Sequence, residues 1–183
     1  VALHAGLVLV LLVAETVAPD YVRLQLTRVM VLAVYAMGYN LLFGYTGLLS
    51  LGHAMFFGAG LYGAALGVVH LALPVPAAFA LGILAGAALS LVVGLLALRT
   101  TGVAFMIVTL MFAQAAHLAV LYFGTWTRGD EGLVLPPEAR GFEVAGLVVD
   151  LSDIATRYHL ALGLFALALA LLHAVVRSPL GEV

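Results

Sequence analysis

The 183-residue sequence has no cysteine and no lysine, and only 9% of its residues are charged. Each shortage excludes a class of chemistry. Without cysteine there is no disulfide, iron–sulfur ligation or thiol nucleophile. Without lysine there is no phosphate-loop lysine, so any ATP hydrolysis that serves this protein is done by another chain, and Schiff-base chemistry is excluded too. The seven arginines form no basic cluster of the kind nucleic acid requires. A soluble domain carries roughly 25% charged residues. Here 65% of the residues are hydrophobic and the mean hydropathy is +1.22. Such a chain has no polar exterior to cover a core, so its apolar surface must face lipid.

Apolar runs measured against the roughly 20 residues that a helix needs to cross the hydrocarbon mark six segments. The expected fold is an all-α polytopic transmembrane bundle with a broken, glycine-rich helix pair. The first segment runs from Val1 to about Ala18, before Pro19-Asp20, and reads as a truncated membrane helix, since the chain opens on Val rather than Met. The second runs from about Leu24 to Phe43 and ends in the turn-rich Gly44-Tyr-Thr-Gly47. The third, Leu48 to about Val69, carries Gly52, Gly58, Gly60, Gly63 and Gly67. In water each would weaken a helix by about 1 kcal/mol relative to Ala, whereas between membrane helices small residues let backbones approach, so this segment should be buried in protein. The fourth, about Ala77 to Leu98, places Ala78, Gly82, Gly86, Ser90 and Gly94 four apart, which predicts a packing seam with residues such as Leu89 turned to lipid. The fifth runs from Val103 to about Phe123, and the sixth from Tyr158 to Val176 between Arg157 and Arg177.

Residues 124–157 hold six of the nine acids and three of the seven arginines, so this stretch is extramembrane. Phe142, Val144 and Leu147-Val148-Val149 suggest a short strand or amphipathic piece on the membrane surface. Alternation of the segments puts Arg99 and Arg177 on one side and Arg128, Arg140 and Arg157 on the other, and a bare arginine count makes the loop cytoplasmic. The loop carries more acids than arginines, which weakens that count.

Gly38-Tyr-Asn40-Leu-Leu-Phe-Gly44-Tyr-Thr-Gly47-Leu-Leu-Ser50-Leu-Gly52-His53-Ala-Met-Phe-Phe-Gly58-Ala-Gly60 closely resembles the signature of the inner-membrane permease subunits of branched-chain amino acid ABC importers. Leu98 to Gln114 resembles the same family's second block, with Arg99-Thr-Thr-Gly102 leading into Thr109. Thr127-Arg-Gly129-Asp130-Glu131-Gly132-Leu133 resembles its external loop, and Arg177-Ser178-Pro179-Leu-Gly181 the start of its cytoplasmic ATPase-contacting segment. The blocks fall in family order from Gly38 to Gly181. The resemblance implies one transmembrane permease domain over residues 1–183, incomplete at its C-terminus because family members are longer, in the bacterial inner membrane. It implies a second permease subunit, two cytoplasmic ATP-binding subunits and a periplasmic solute-binding protein as partners, and no cofactor. It also implies an orientation opposite to the arginine count: Arg99, Arg177, Ser178, Pro179 and Gly181 face the ATPase, and the 124–157 loop, with Gly129, Asp130, Glu131 and Gly132, is periplasmic. Sister permeases for urea, short amides or another small solute share the signature.

Asn40, Gly44, Thr46, Gly47, Ser50 and His53 surround the helix break, where polar groups can be presented to a passing solute. The alternative is that they satisfy backbone freed by the turn. Ser50 and His53, three apart on one helical face, could suggest an intramembrane hydrolase, but such a pair normally comes from two elements and needs an oxyanion donor, so no catalytic residue is assigned. On the fifth segment Gln114 and His117 share a face with Thr109 further round. Interhelical hydrogen bonds of about 1 kcal/mol or less account for them, and a place in the substrate pathway for Thr109 and Gln114 is the alternative. His4, His70, His159 and His173 are scattered and give no metal-ligand spacing. Tyr21, Tyr122, Trp126 and Tyr158 read as interfacial anchors. Glu15 reads as a solvated acid at the headgroup boundary.

Overall fold

A computed structural model describes residues 2–144 and 147–178. They fall into two compact units, one made of the described residues up to 45 together with those from 149 on, the other of those between 46 and 148. The first contains α1 (Ala2–Val17), α2 (Asp20–Asn40) and α7 (Ile154–Val176). The second contains α3 (Ala54–Leu71), α4 (Val75–Ala97), α5 (Gly102–Tyr122) and the single-turn α6 (Gly124–Thr127). Among the described residues, five helices are long and apolar enough to cross a membrane. Helix α1 covers 16 residues, short of a full span.

In the first unit, α2 and α7 close on a core of Met30, Tyr158, Ala161, Leu162 and Phe165, against which Val8 and Leu11 of α1 pack. Tyr158 is fully buried and its hydroxyl donates 2.7 Å to the Leu11 carbonyl. This corrects its reading as an interfacial anchor: a phenol whose polar tip finds a partner inside can be buried whole. Glu15 is corrected in the same way, since its carboxylate is mostly covered and lies 2.8 Å from Nε2 of His159. The last helix also starts earlier than Tyr158. Asp153 takes extended backbone, and its carboxylate accepts from the Thr156 amide at 2.9 Å and the Thr156 hydroxyl at 2.9 Å. This N-cap satisfies a backbone donor that would otherwise be orphaned, so the helix begins at Ile154. The same hydrogen bonds, the backbone one foremost, hold the Asp153 carboxyl below its ordinary pKa.

In the second unit, α3 and α4 meet through the small residues. A Cβ at Gly82 would come within 2.5 Å of the Gly60 carbonyl, and one at Gly63 within 2.7 Å of the Ala85 Cβ. Only glycine allows that approach. The seam does not run the length of α4, however: Ser90 is exposed, a Cβ at Gly94 would meet nothing within 4 Å, and Leu89 packs beside the buried Met55, Val93, Ala97 and Phe105. The cause is helical geometry. At about 3.6 residues per turn, each step of four moves a residue roughly 40° round the axis, so the stripe that starts inward at Ala78 has left the interface by Ser90.

The 124–157 stretch is built of short pieces, as its composition suggests. Arg128, Gly129 and Gly132 take left-handed backbone with φ of 59°, 52° and 72°. Two strands, β1 (Gly141–Val144) and β2 (Leu147–Asp150), pair into a two-stranded sheet.

Candidate functional site

The helix break lies later than the turn-rich tetrapeptide indicates. After Asn40 the helix widens into a π-helical turn over Leu41–Tyr45, and regular structure stops at Gly47, whose φ of 69° is left-handed. Residues 47–53 are then non-helical, and α3 begins at Ala54 rather than Leu48. Ser50 and His53 therefore do not share a helical face.

In the second unit the broken segment is pinned to α5. The Leu51 amide donates 3.2 Å to the Thr109 hydroxyl, which in turn donates 3.0 Å to the Met106 carbonyl. Thr109 is 2% exposed and Ser50 4%, and the Ser50 hydroxyl oxygen is buried without a hydrogen-bond partner. Gly52 presses on the same place, because a Cβ there would collide with the Thr109 carbonyl. His53 is half-buried, with its ring edge-on to Phe56 at 5.7 Å. Thr109 thus satisfies backbone freed by the break, the second of the two roles weighed for polar groups here. Gln114 and His117 are exposed on another face, away from Thr109.

Asn40 and Gly44 belong to the first unit. A Cβ at Gly44 would sit 2.8 Å from the Asn40 Oδ1, so the glycine leaves room for that amide. Asn40 borders a cavity of about 190 Å³ together with Tyr45, His4 and His173. The histidines are therefore not all scattered: His4 and His173 lie ring to ring at 5.9 Å, and His159 meets Glu15. The His70 ring lies 4.9 Å from the Trp126 ring at a tilt of 51°, and its Nε2 is 3.0 Å from the Trp126 carbonyl. None of these pairings leaves a local signal, since the partners come from separate helices.

In the polar stretch, Thr127 is buried and organises the turn. Its hydroxyl donates to the Val120 carbonyl at 2.6 Å and accepts from the Gly129 amide at 3.1 Å. Asp130 and Glu131 project into solvent between the two left-handed glycines. Of the residues assigned to ATPase contact, Arg99 and Arg177 are exposed beyond the ends of α4 and α7, and the Ser178 hydroxyl donates 2.6 Å to the Val175 carbonyl. Pro179 and Gly181 lie outside the described residues.

No curated protein and no solved structure matches the chain. Residues 22–183 match the family described as the branched-chain amino acid transport system permease component, a family of transport permeases and not of enzymes. That span takes in the π-helical turn, the break and every long helix from α2 to α7. The chain is a multi-pass membrane protein that belongs to the branched-chain amino acid transport permease family.

Proposed function

We propose that the chain is a membrane-spanning permease component of an ATP-driven importer that carries branched-chain or related hydrophobic amino acids across the bacterial inner membrane. The observation that carries this reading is the family match over residues 22–183. A second permease subunit, two cytoplasmic ATP-binding subunits and a periplasmic solute-binding protein complete the machine. The chain contributes a conduit, and the absence of lysine is in keeping with ATP hydrolysis on another subunit. Its solute is a zwitterion with an apolar tail, so hydrogen-bonding groups must alternate with apolar wall along the path. In the second unit Thr46, Gly47, Ser50 and His53 line that path beside Thr109. In the first, Asn40 and Gly44 do so. The exposed Gln114 joins it where a partner subunit covers α5. Arg99, Arg177, Ser178, Pro179 and Gly181 take the push from the ATPase, and residues 124–157 face the periplasm and receive the binding protein through Gly129 to Gly132.

Uptake by the complete transporter in proteoliposomes tests the reading. ATP-dependent accumulation of leucine, isoleucine or valine is the expected result. Accumulation of urea or a short amide, with no branched-chain amino acid, would assign the chain to a sister permease.

A further inference from the structure

Helix α2 has two unlike faces. Leu26, Met30, Ala33, Val34 and Met37 pack into the core that it shares with α1 and α7. At about 100° per residue, the opposite side carries Tyr21, Gln25, Arg28 and Leu32, spaced four, three and four apart along one stripe. All four are exposed. Asp20 and Arg23, an ion pair at 3.5 Å, mark the headgroup level, and Arg28 lies about 7.5 Å deeper along the axis. The ion pairs among the described residues are Asp20–Arg23 and Glu15–His159, and Arg28 belongs to neither. An arginine turned outward below the headgroups is costly unless a counter-charge meets it.

Two features select that counter-charge. The Cα–Cβ bonds of a helix tilt toward its N-terminus, so the long stem of Arg28 is directed back to the Asp20 end, where the phosphates of a bilayer lie. Further along the same face the exposed side chains are apolar, with Val29 at 58% and Leu32 at 56%. Polar groups at the headgroup end, followed by apolar ones toward the bilayer centre, repeat the order of a phospholipid lying along the helix. A carboxylate on a neighbouring helix would match the charge, but it would be a second ionised group carried below the headgroups. A lipid phosphate already resides where the arginine reaches.

We propose that this face of α2 binds one anionic phospholipid of the phosphatidylglycerol kind, in the leaflet at the Asp20 end. The Arg28 guanidinium donates two parallel N–H bonds to the phosphate oxygens, a geometry that its planar fork fits. The Gln25 amide adds a third donor, the Tyr21 hydroxyl meets the glycerol headgroup, and an acyl chain lies on Val29 and Leu32. The charges match one such lipid. Asp20 is taken by Arg23, which leaves Arg28 as the uncompensated charge of the stripe. Phosphatidylcholine offers the same phosphate, but its own ammonium group cancels the charge, so it should bind less well. The site is independent of which solute the transporter carries.

The test places the assembled transporter in nanodiscs of equal parts phosphatidylglycerol and phosphatidylcholine, with a benzophenone amino acid at position 32 of this chain. Photolysis should leave lipid adducts in which phosphatidylglycerol exceeds phosphatidylcholine on the order of fivefold, the preference that one arginine near the headgroups can provide. Arg28→Gln should return the ratio to that of the bulk lipid. Arg28→Lys should keep part of the preference, since a compact ammonium still meets a phosphate, and Arg99→Gln, at the end of α4, should leave it unchanged. Native mass spectrometry of the unaltered transporter, which needs no variant to fold, should show phosphatidylglycerol retained in preference to phosphatidylcholine. Adducts in bulk proportion without any substitution at Arg28 would reduce the face to ordinary boundary contact and overturn the site. Adducts to a neighbouring protein helix would overturn it too, by giving the face to a partner subunit.

Discussion

Gly52 and Thr109 hold each other in place: a Cβ at Gly52 would strike the Thr109 carbonyl, and the Thr109 hydroxyl receives the amide proton of the neighbouring Leu51. The backbone between the π-helical turn and α3 thus rests on one threonine. Thr109→Val keeps the shape and removes the acceptor, so the Leu51 amide loses its partner at a cost of about 1–3 kcal/mol. Thermal unfolding in detergent should show the loss, with Thr109→Ser restoring most of it. An unchanged midpoint for Thr109→Val would mean that another group takes over the Leu51 amide.

The α3–α4 seam makes a graded prediction along one stripe. Gly82→Leu should be the most damaging, since even a Cβ there meets the Gly60 carbonyl at 2.5 Å, and Gly86→Leu should be milder, its Cβ meeting the Phe56 carbonyl at 3.3 Å. Gly94→Leu should be tolerated, because its Cβ meets nothing within 4 Å. Leu84→Ala, on the lipid-facing side at 66% exposed, is the control. The yield of monodisperse protein ranks the four, and equal damage at Gly82 and Gly94 would contradict the rotation of the stripe.

The Asp153 cap gives a pH dependence with a definite sign. The folded carboxyl titrates below its ordinary range because it accepts from Thr156. Its contribution is therefore present above the ordinary carboxylate pKa and is lost as pH falls through the lowered folded value. Melting curves of unaltered protein and Asp153→Asn, which caps without a charge, should converge in acid and separate toward neutrality. A constant gap across the range would remove Asp153 from the pH response.

Orientation is decided by labelling, and the lack of native cysteine provides a silent background. A cysteine at Glu138, which is exposed in the polar stretch, should react with an impermeant maleimide added from the periplasmic side. A cysteine at Thr100, in the α4–α5 turn, should not. The reverse pattern would place residues 124–157 beside the ATPase.

The long helices could be read from the sequence because length and apolarity suffice to identify a span, and the contacts of Gly60 and Gly63 with α4 followed from small residues that have little other use in lipid. The π-helical turn could not, since Leu41–Tyr45 has no composition that separates it from an ordinary turn of helix. Tyr158 was misread because a tyrosine near a helix end looks the same whether it anchors in headgroups or is buried, and its deciding partner, Leu11, is 147 residues away. Glu15 and Asn40 repeat the point. What sits opposite a polar group in a bundle is settled by which helices become neighbours, and no local pattern carries that.

The Leu11 and Glu15 positions lie one turn apart on α1, and they meet the consecutive residues Tyr158 and His159 of α7. Greasy contacts alone would let one helix roll or slide on the other with little change in energy. The phenol-to-carbonyl bond and the carboxylate–imidazole pair act as two pins of a key. A slip of a single residue along α1 would disengage both at once, so the two helices can shift only as a locked pair or by parting altogether.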